Sequence, residues 1–332
     1  MHQPLRGPAG RRALLAVLLG LGCTRVAWAQ TTGATRVARV GFVSWFPPDE
    51  AGQVDPLREG LRELGWQERR NLELEVQFTQ GSADRTRAAL QSLLQRRFDV
   101  IVVRATPAAH IAKEMVRDVP VVMLVSDPLA TGLVPTLGRP AGNITGLSLQ
   151  GPDLAGKRLE HLRALMPGLR SVGFLGAADD PNVTTFVRET EAAARQFGVS
   201  VMPRLVAGVR AFAETDFKAM ADEGAQAVMV QPIFTGQQDR IVPMAMKHRL
   251  PVISNYAVFA KAGGLLTLGP DDGAITRRAA YFVHRLLNGA KPADLPVEQP
   301  SRFTLALNVA TARSLGLKVP PALQLSADIV YE

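Results

Sequence analysis

The stretch Val100-Ile101-Val102-Val103-Arg104-Ala105-Thr106-Pro107-Ala108-Ala109-His110-Ile111-Ala112-Lys113-Glu114-Met115-Val116, with Val121-Val122-Met123-Leu124-Val125 close behind, identifies the class of fold. Val100 to Val103 is a continuous apolar run, as a strand buried on both faces requires. Pro107 to Val116 then reads as a helix, with Thr106 as its expected N-cap and Pro107 at the first helical position. Val121 to Val125 is the next buried strand. Strand, helix and strand at this spacing form a βαβ unit, which implies a mostly parallel sheet.

The same theme recurs on either side. Upstream, Val40-Gly41-Phe42-Val43 and Leu72 to Phe78 read as strands, each followed by a helix, over 56–64 and 84–94. Downstream, the theme stops at Asp127-Pro128 and passes a Gly/Pro-rich connection to Gly151-Pro152. It then restarts with strands at 172–175, 199–202, 227–230 and 251–253, separated by helices over about 182–197, 211–223 and 237–248. A long helix over about 272–288 and a strand near 303–307 come after two finished α/β halves, so the tail is expected to cross back between them. The predicted division is a lobe over 36–147, to which about 271–296 return, and a lobe over 148–270, to which 297–332 partly return.

Composition sets the outer limits. The chain has 332 residues, 47% of them apolar, enough for a real core, and its single Cys23 excludes a disulfide scaffold. The 38 Lys and Arg exceed the 30 Asp and Glu, but Arg6, Arg11, Arg12 and Arg25 precede residue 30, where no acid occurs. The remaining chain is close to balanced, with no basic stripe for a nucleic acid. Residues 1–29 read as a signal peptide: a charged start, the short apolar run Ala13 to Gly22, and Ala27-Trp28-Ala29 as the cleavage pattern. The run is too short to span roughly 30 Å of hydrocarbon. Cleavage after Ala29 gives a periplasmic protein starting at Gln30; lipidation of Cys23 is the other exit, and Arg11-Arg12 leaves Sec and twin-arginine export both open.

In open α/β sheets, ligands sit beyond the carboxyl ends of the strands. The candidate ligand-binding residues at those ends are Ser44, Trp45, Thr106, Pro107, Ala108, Ser126, Asp127, Asn182, Gln231, Pro232, Asn255 and Tyr256. Hydroxyls, amides, one carboxylate and two aromatics suit a small polar molecule with an apolar part. Asp127, read as the one acid directly at a strand end, either pairs with a ligand ammonium or caps its own turn. Trp45 either offers a stacking platform or braces its loop. If the ligand is an α-amino acid, Asp127 is the expected counter-charge for the ammonium, the hydroxyls and amides hold the carboxylate, and Trp45 and Tyr256 border the side chain.

Other chemistries find little support. Gly151-Pro152-Asp153-Leu154-Ala155-Gly156-Lys157-Arg158 has phosphate-loop spacing, but Arg158 stands where Ser or Thr would hold magnesium. It reads as a helix start with Lys157 and Arg158 facing solvent. Single histidines, His110, His161, His248 and His284, offer no zinc spacing. Neither Ser44 nor Ser126 lies in a nucleophile elbow, so no catalytic set, metal or cofactor is expected.

The chain resembles the ABC-transporter substrate-binding family that includes the tryptophan and tyrosine uptake receptors. The likeness lies in Gly60 to Trp66, Phe98 to Val102, Asp127-Pro128-Leu129-Ala130-Thr131-Gly132-Leu133-Val134, Arg139 to Ser148, Lys157 to Glu160, Ala262 to Leu265, Gly289 to Val297 and Ala312 to Pro320. It departs from the family pattern at Ala141, where glycine is usual, and at Thr267 to Pro270, where an aromatic is frequent. The resemblance implies a two-lobed periplasmic-binding-protein type I fold, an α/β architecture with a mostly parallel sheet flanked by helices in each lobe. It implies three crossovers and closure on a small-molecule ligand. The expected partners are an ABC transporter permease and, through it, its ATPase; membrane contact runs only through the permease. A periplasmic sensor for a membrane signalling protein shares the fold, and a secreted hydrolase would need a triad that the chain does not assemble.

Overall fold

The computed structural model describes residues 36–48 and 54–332. The signal-peptide reading, with Cys23 and the cleavage site, falls outside the described residues.

The first half runs β1 (Ala38–Ser44), α1 (Asp55–Glu63), β2 (Leu72–Phe78), α2 (Ala83–Gln95), β3 (Val100–Arg104), α3 (Thr106–Met115), β4 (Val121–Val125) and β5 (Ile144–Ser148). Its five strands form one parallel sheet in the order β2-β1-β3-β4-β5. The apolar run of β3 does what a doubly buried strand must. Val100 and Val102 join the core on one face, with Leu57 and Leu61 of α1, while Ile101 and Val103 join the core on the other, with Leu90 and Leu93 of α2. Helix α2 starts where Ser82 accepts the Arg85 N–H at 3.2 Å. Ser82→Ala is expected to cost about 1 kcal/mol and to lower Tm by about 2–4 °C; an unchanged melting curve would show that this cap contributes nothing.

Strand β5 lies inside the stretch read from sequence as a Gly/Pro-rich connection. The reason is Gly146, whose φ is +139° and where a Cβ would sit 2.1 Å from the Met123 carbonyl oxygen of β4. Only glycine permits that approach, and glycine is what gives the segment its loop-like composition.

The second half continues with α4 (Ala155–Leu165), β6 (Ser171–Ala177), α5 (Val183–Gln196), β7 (Ser200–Val206), α6 (Glu214–Asp222), β8 (Val228–Val230), α7 (Gln238–Lys247), β9 (Val252–Ser254), α8 (Ala257–Lys261) and β10 (Leu266–Pro270). After α9 (Asp272–Leu287) come β11 (Phe303–Asn308), α10 (Val309–Ser314), α11 (Pro321–Ser326) and β12 (Ile329–Tyr331). The second sheet has the order β12-β11-β10-β9-β8-β6-β7, and only the β10–β11 pairing is antiparallel. Helix α9 leaves this lobe and buries Ile275, Ala279, Phe282 and Val283 in the core of the first. The chain then passes Glu298, whose backbone bonds Gly146 and Ser148, before entering β11.

Three segments therefore link the lobes: near 149–154, at 270–272 and over 299–302. Arg158 ties the first of them to strand β10. Its place beside Lys157 at a helix start predicts a solvent face; instead it is 3% exposed, donating to the carbonyls of Gly151 at 2.8 Å and Leu268 at 3.0 Å. Burial holds its pKa down at about 10. A long guanidinium stem can reach inward from a helix whose neighbouring Lys157 stays exposed beside Glu160.

Candidate functional site

Both sheets place a strand-order reversal at the same point of their topology, between β1 and β3 in the first and between β6 and β8 in the second. Crevices open at such switch points, beyond the carboxyl ends of the strands. The ends of these four strands supply most of a small cavity between the lobes. The first lobe contributes Phe46, Arg104, Ala105, Thr106, Leu124, Val125, Ser126 and Leu149; the second contributes Asp180, Pro232, Ile233 and Tyr256. The cavity measures about 20 Å³, room for about one water.

The lobes touch across it. Asn182 Nδ2 of the second lobe donates to Thr106 Oγ1 of the first at 2.6 Å, and both residues are buried. Nearby, Arg210 donates to the Gln80 side chain at 3.0 Å. These bonds define a closed arrangement.

Asp180 is the charged centre of the second lobe's wall. One carboxylate oxygen accepts the Asn182 N–H at 3.0 Å, and the other accepts Gln231 Nε2 at 2.7 Å. The Gln231 amide has a settled orientation, because its oxygen accepts the Ala177 N–H at 3.0 Å, leaving the NH2 for Asp180. Among the described residues no basic side chain pairs with Asp180. Burial pushes its pKa up to about 7; Asp179 adds to the rise and the Asn182 N–H opposes it. A carboxylate this deep without a cation is poised to accept one.

The first lobe presents a different surface. Ala105, at the N-cap of α3, holds φ at +81°, a left-handed conformation that costs a non-glycine residue energy and that clusters at functional sites. Thr106 lies inside the helix instead of capping it. The strained turn aims the start of α3 at the cavity, where first-turn N–H groups have no partner within the helix and favour an anion. Arg104 is buried beside it, donating to both Asp272 oxygens at 2.5 and 2.7 Å and to Thr276 at 3.1 Å, with its guanidinium 5.4 Å from the Phe46 ring centre. Its charge is matched by Asp272.

Of the residues singled out from sequence, Thr106, Ser126, Pro232 and Tyr256 line this cavity, and Asn182 and Gln231 hold the polar network behind it. Ser44 is buried, with its hydroxyl accepting the Phe46 N–H. Trp45 is 4% exposed and lies outside the lining, its indole N–H without a partner among the described residues; Pro107 and Ala108 are buried in the first turn of α3. Asp127 also lies outside the lining: its carboxylate accepts the N–H groups of Leu129 and Ala130, capping its own turn. Asn255 lines an adjoining cavity instead.

Phe46, Arg104, Ala105 and Asp180 were not among the candidates, although Arg104, Ala105 and Asp180 fall in the strand-end stretches 104–108 and 177–182. Asp180 escaped because β6 runs to Ala177, two residues beyond the predicted end, which brings Asp179-Asp180 to the strand terminus. Asp127 is therefore not the one acid at a strand end. Two consecutive acids before Pro181 were the available signal.

His110 Nε2 is buried without a partner among the described residues, and burial lowers the pKa of its imidazole. Among the described residues no group of three or more His, Cys, Asp or Glu side chains could hold a metal ion, and no helix is long and apolar enough to cross a membrane.

Comparison with known proteins adds to this geometry. The family described as ABC transporter substrate binding protein matches residues 47–331. A curated protein named "Tyrosine-binding protein" from Clostridioides difficile (strain R20291) is 23% identical over 289 residues, covering 84% of this chain and 80% of that protein. Among solved structures, an ABC domain from Streptococcus pneumonia in complex with L-Trp is 26% identical with a TM-score of 0.82, covering 88% of this chain and 99% of that one. A conserved domain protein from Vibrio cholerae has a TM-score of 0.84 at 22% identity, covering 89% of this chain and 100% of that one.

Proposed function

Because this chain belongs to the ABC transporter substrate-binding protein family, we propose that it captures an α-amino acid with an amphipathic side chain between its lobes and delivers it to a membrane permease. Members of the family are receptors that hold small molecules and do no chemistry on them, and we extend that to this chain. The observation that carries the reading is Asp180, buried at the interlobe cavity, hydrogen-bonded to neutral donors and without a cation among the described residues. A ligand ammonium would supply the missing charge, and hydrogen bonds involving charged groups contribute roughly 1.5–3 kcal/mol. The start of α3, with Thr106 and Ser126 close by, is the complementary place for the carboxylate.

The relatives support this choice of ligand class, one being named for tyrosine and another being solved with L-Trp. The expected setting is outside the cytoplasmic membrane, as is typical of the family, with export through the leader ending near Ala29. Mass spectrometry of small molecules released from gently purified protein is expected to yield an amino acid. Titration calorimetry with that compound should show one site per chain, and small-angle scattering should show a smaller radius of gyration with ligand. Release of a nucleoside or sugar, with no heat from any amino acid, would overturn the reading.

A further inference from the structure

The interlobe cavity is too small for the ligand that its polar groups suit. At about 20 Å³ it has no room for the side chain of an amphipathic amino acid. A second cavity of about 240 Å³ adjoins it, and Arg104 and Tyr256 line both. The second cavity reaches toward the crossover at 270–273 and is bordered by Pro270, Val258 and Ile329 as well as by polar groups.

Those polar groups differ in what they have left to offer. Asp272 is held by Arg104, and Asp271 accepts the Ala274 N–H at 3.0 Å as the N-cap of α9. Thr235 donates to the Pro232 carbonyl at 2.7 Å. The carboxamide of Asn255, in a residue only 4% exposed, makes no hydrogen bond with any described residue, and neither does the Tyr256 hydroxyl. Both groups line the cavity, so a ligand group that bonds the amide replaces water there, and an apolar tip displaces that water without replacing its bonds. The charged groups are committed and the neutral ones are open, which favours a neutral hydrogen-bonding group over a charged one.

Resting on the amino acid reading above, we propose that the second cavity receives the distal end of the ligand's side chain, where Asn255 recognises a neutral hydrogen-bonding group such as a phenol hydroxyl or ring N–H. The ammonium stays at Asp180. The side chain extends past Tyr256 and Arg104, whose flat ring and guanidinium suit an aromatic face. Specificity then comes from the partner that Asn255 lacks when the ligand's tip is apolar, since a site built to hydrogen-bond a group rejects the analogue without it.

The test is calorimetry with L-tyrosine, L-tryptophan and L-phenylalanine on the wild-type protein, on Asn255→Ala and on Tyr256→Phe. In the wild type, tyrosine or tryptophan is expected to bind about tenfold or more tighter than phenylalanine. Asn255→Ala should remove most of that preference by weakening the polar-tipped ligand, with phenylalanine changed by less than about threefold. Should Asn255→Ala fail to fold, Tyr256→Phe keeps the ring and is expected to narrow the same preference. Equal losses for all three ligands, or a preference that survives both substitutions, would overturn the assignment of the cavity while leaving the amino acid reading intact. Absence of binding by all three, with a different class of compound released from the purified protein, would overturn both.

Discussion

Asp180→Asn is expected to weaken amino acid binding by between about tenfold and a hundredfold while making the ligand-free protein more stable above neutral pH. The two effects have one cause. The carboxylate is buried without a cation, so its charge is unfavourable until an ammonium arrives. In the folded protein its pKa stands at about 7, against about 3.9 for an unfolded aspartate. Between those values the folded form keeps a proton that the unfolded chain has released. Rising pH across that window therefore erodes stability, with the loss complete above about 7 and absent below about 4. Asparagine keeps the shape and carries no charge; its one oxygen can accept from Gln231, while its NH2 then loses the bond from the Asn182 N–H. Its Tm should exceed that of the wild type by about 4 °C or more at pH 8, and the gain should vanish toward pH 4. Wild-type affinity should rise between pH 5 and 8 as Asp180 ionises, and the variant's should stay flat. Calorimetry across that range decides the matter: undiminished affinity in Asp180→Asn would show that no ammonium sits there.

Gly81→Ala is expected to oppose closure, and a second substitution is expected to undo it. Gly81 follows β2 in the first lobe, has φ +76°, and would place a Cβ 2.4 Å from Val209 Cγ2 in the second lobe. The substitution carries two penalties, and they can be separated. Backbone strain at positive φ costs alanine roughly 1–2 kcal/mol whether the lobes are apart or together. The contact with Val209 is felt only when they meet. Ligand affinity should fall by about tenfold or more, since binding must now also overcome the bias toward the open state. With a saturating amino acid, small-angle scattering should show a larger radius of gyration than for the wild type. Adding Val209→Ala relieves the contact and should restore most of the affinity, while Tm stays depressed because the strain remains. Affinity that does not recover in the double variant would place the effect in the folding of the first lobe.

Much of the architecture was legible along the chain. Buried parallel strands announce themselves as unbroken apolar runs, and β1 through β4 lie within about two residues of their expected positions. The elements that periodicity does not announce carry glycine and proline for reasons of close approach: Gly146 in β5, and Gly269-Pro270 at the end of β10, where a Cβ on Gly269 would lie 2.2 Å from the Asn255 carbonyl oxygen. Locally they resemble turns. Only the neighbouring backbone explains them.

The site divides along the same line. The chemistry available at the strand ends could be read along the chain, because alternation shows where strands stop and topology puts ligands there. Thr106, Ser126, Asn182, Gln231 and Tyr256 came from that rule. Alternation showed two α/β halves, and family resemblance added the expectation that they close on a ligand. Which of those groups converge is a matter of tertiary structure. A strand two residues longer than its apolar run puts Asp180 at the cavity while Asp127 turns back to its own backbone. Phe46, one residue beyond Trp45, reaches the lining in its place, and a long stem carries Arg158 inward from a helix whose start looks solvent-facing. Asn182 meets Thr106 across 76 positions of chain. Periodicity is a property of neighbours in sequence, set by local backbone geometry. Convergence depends on sheet twist, on crossover lengths and on how two lobes close, which no local pattern encodes.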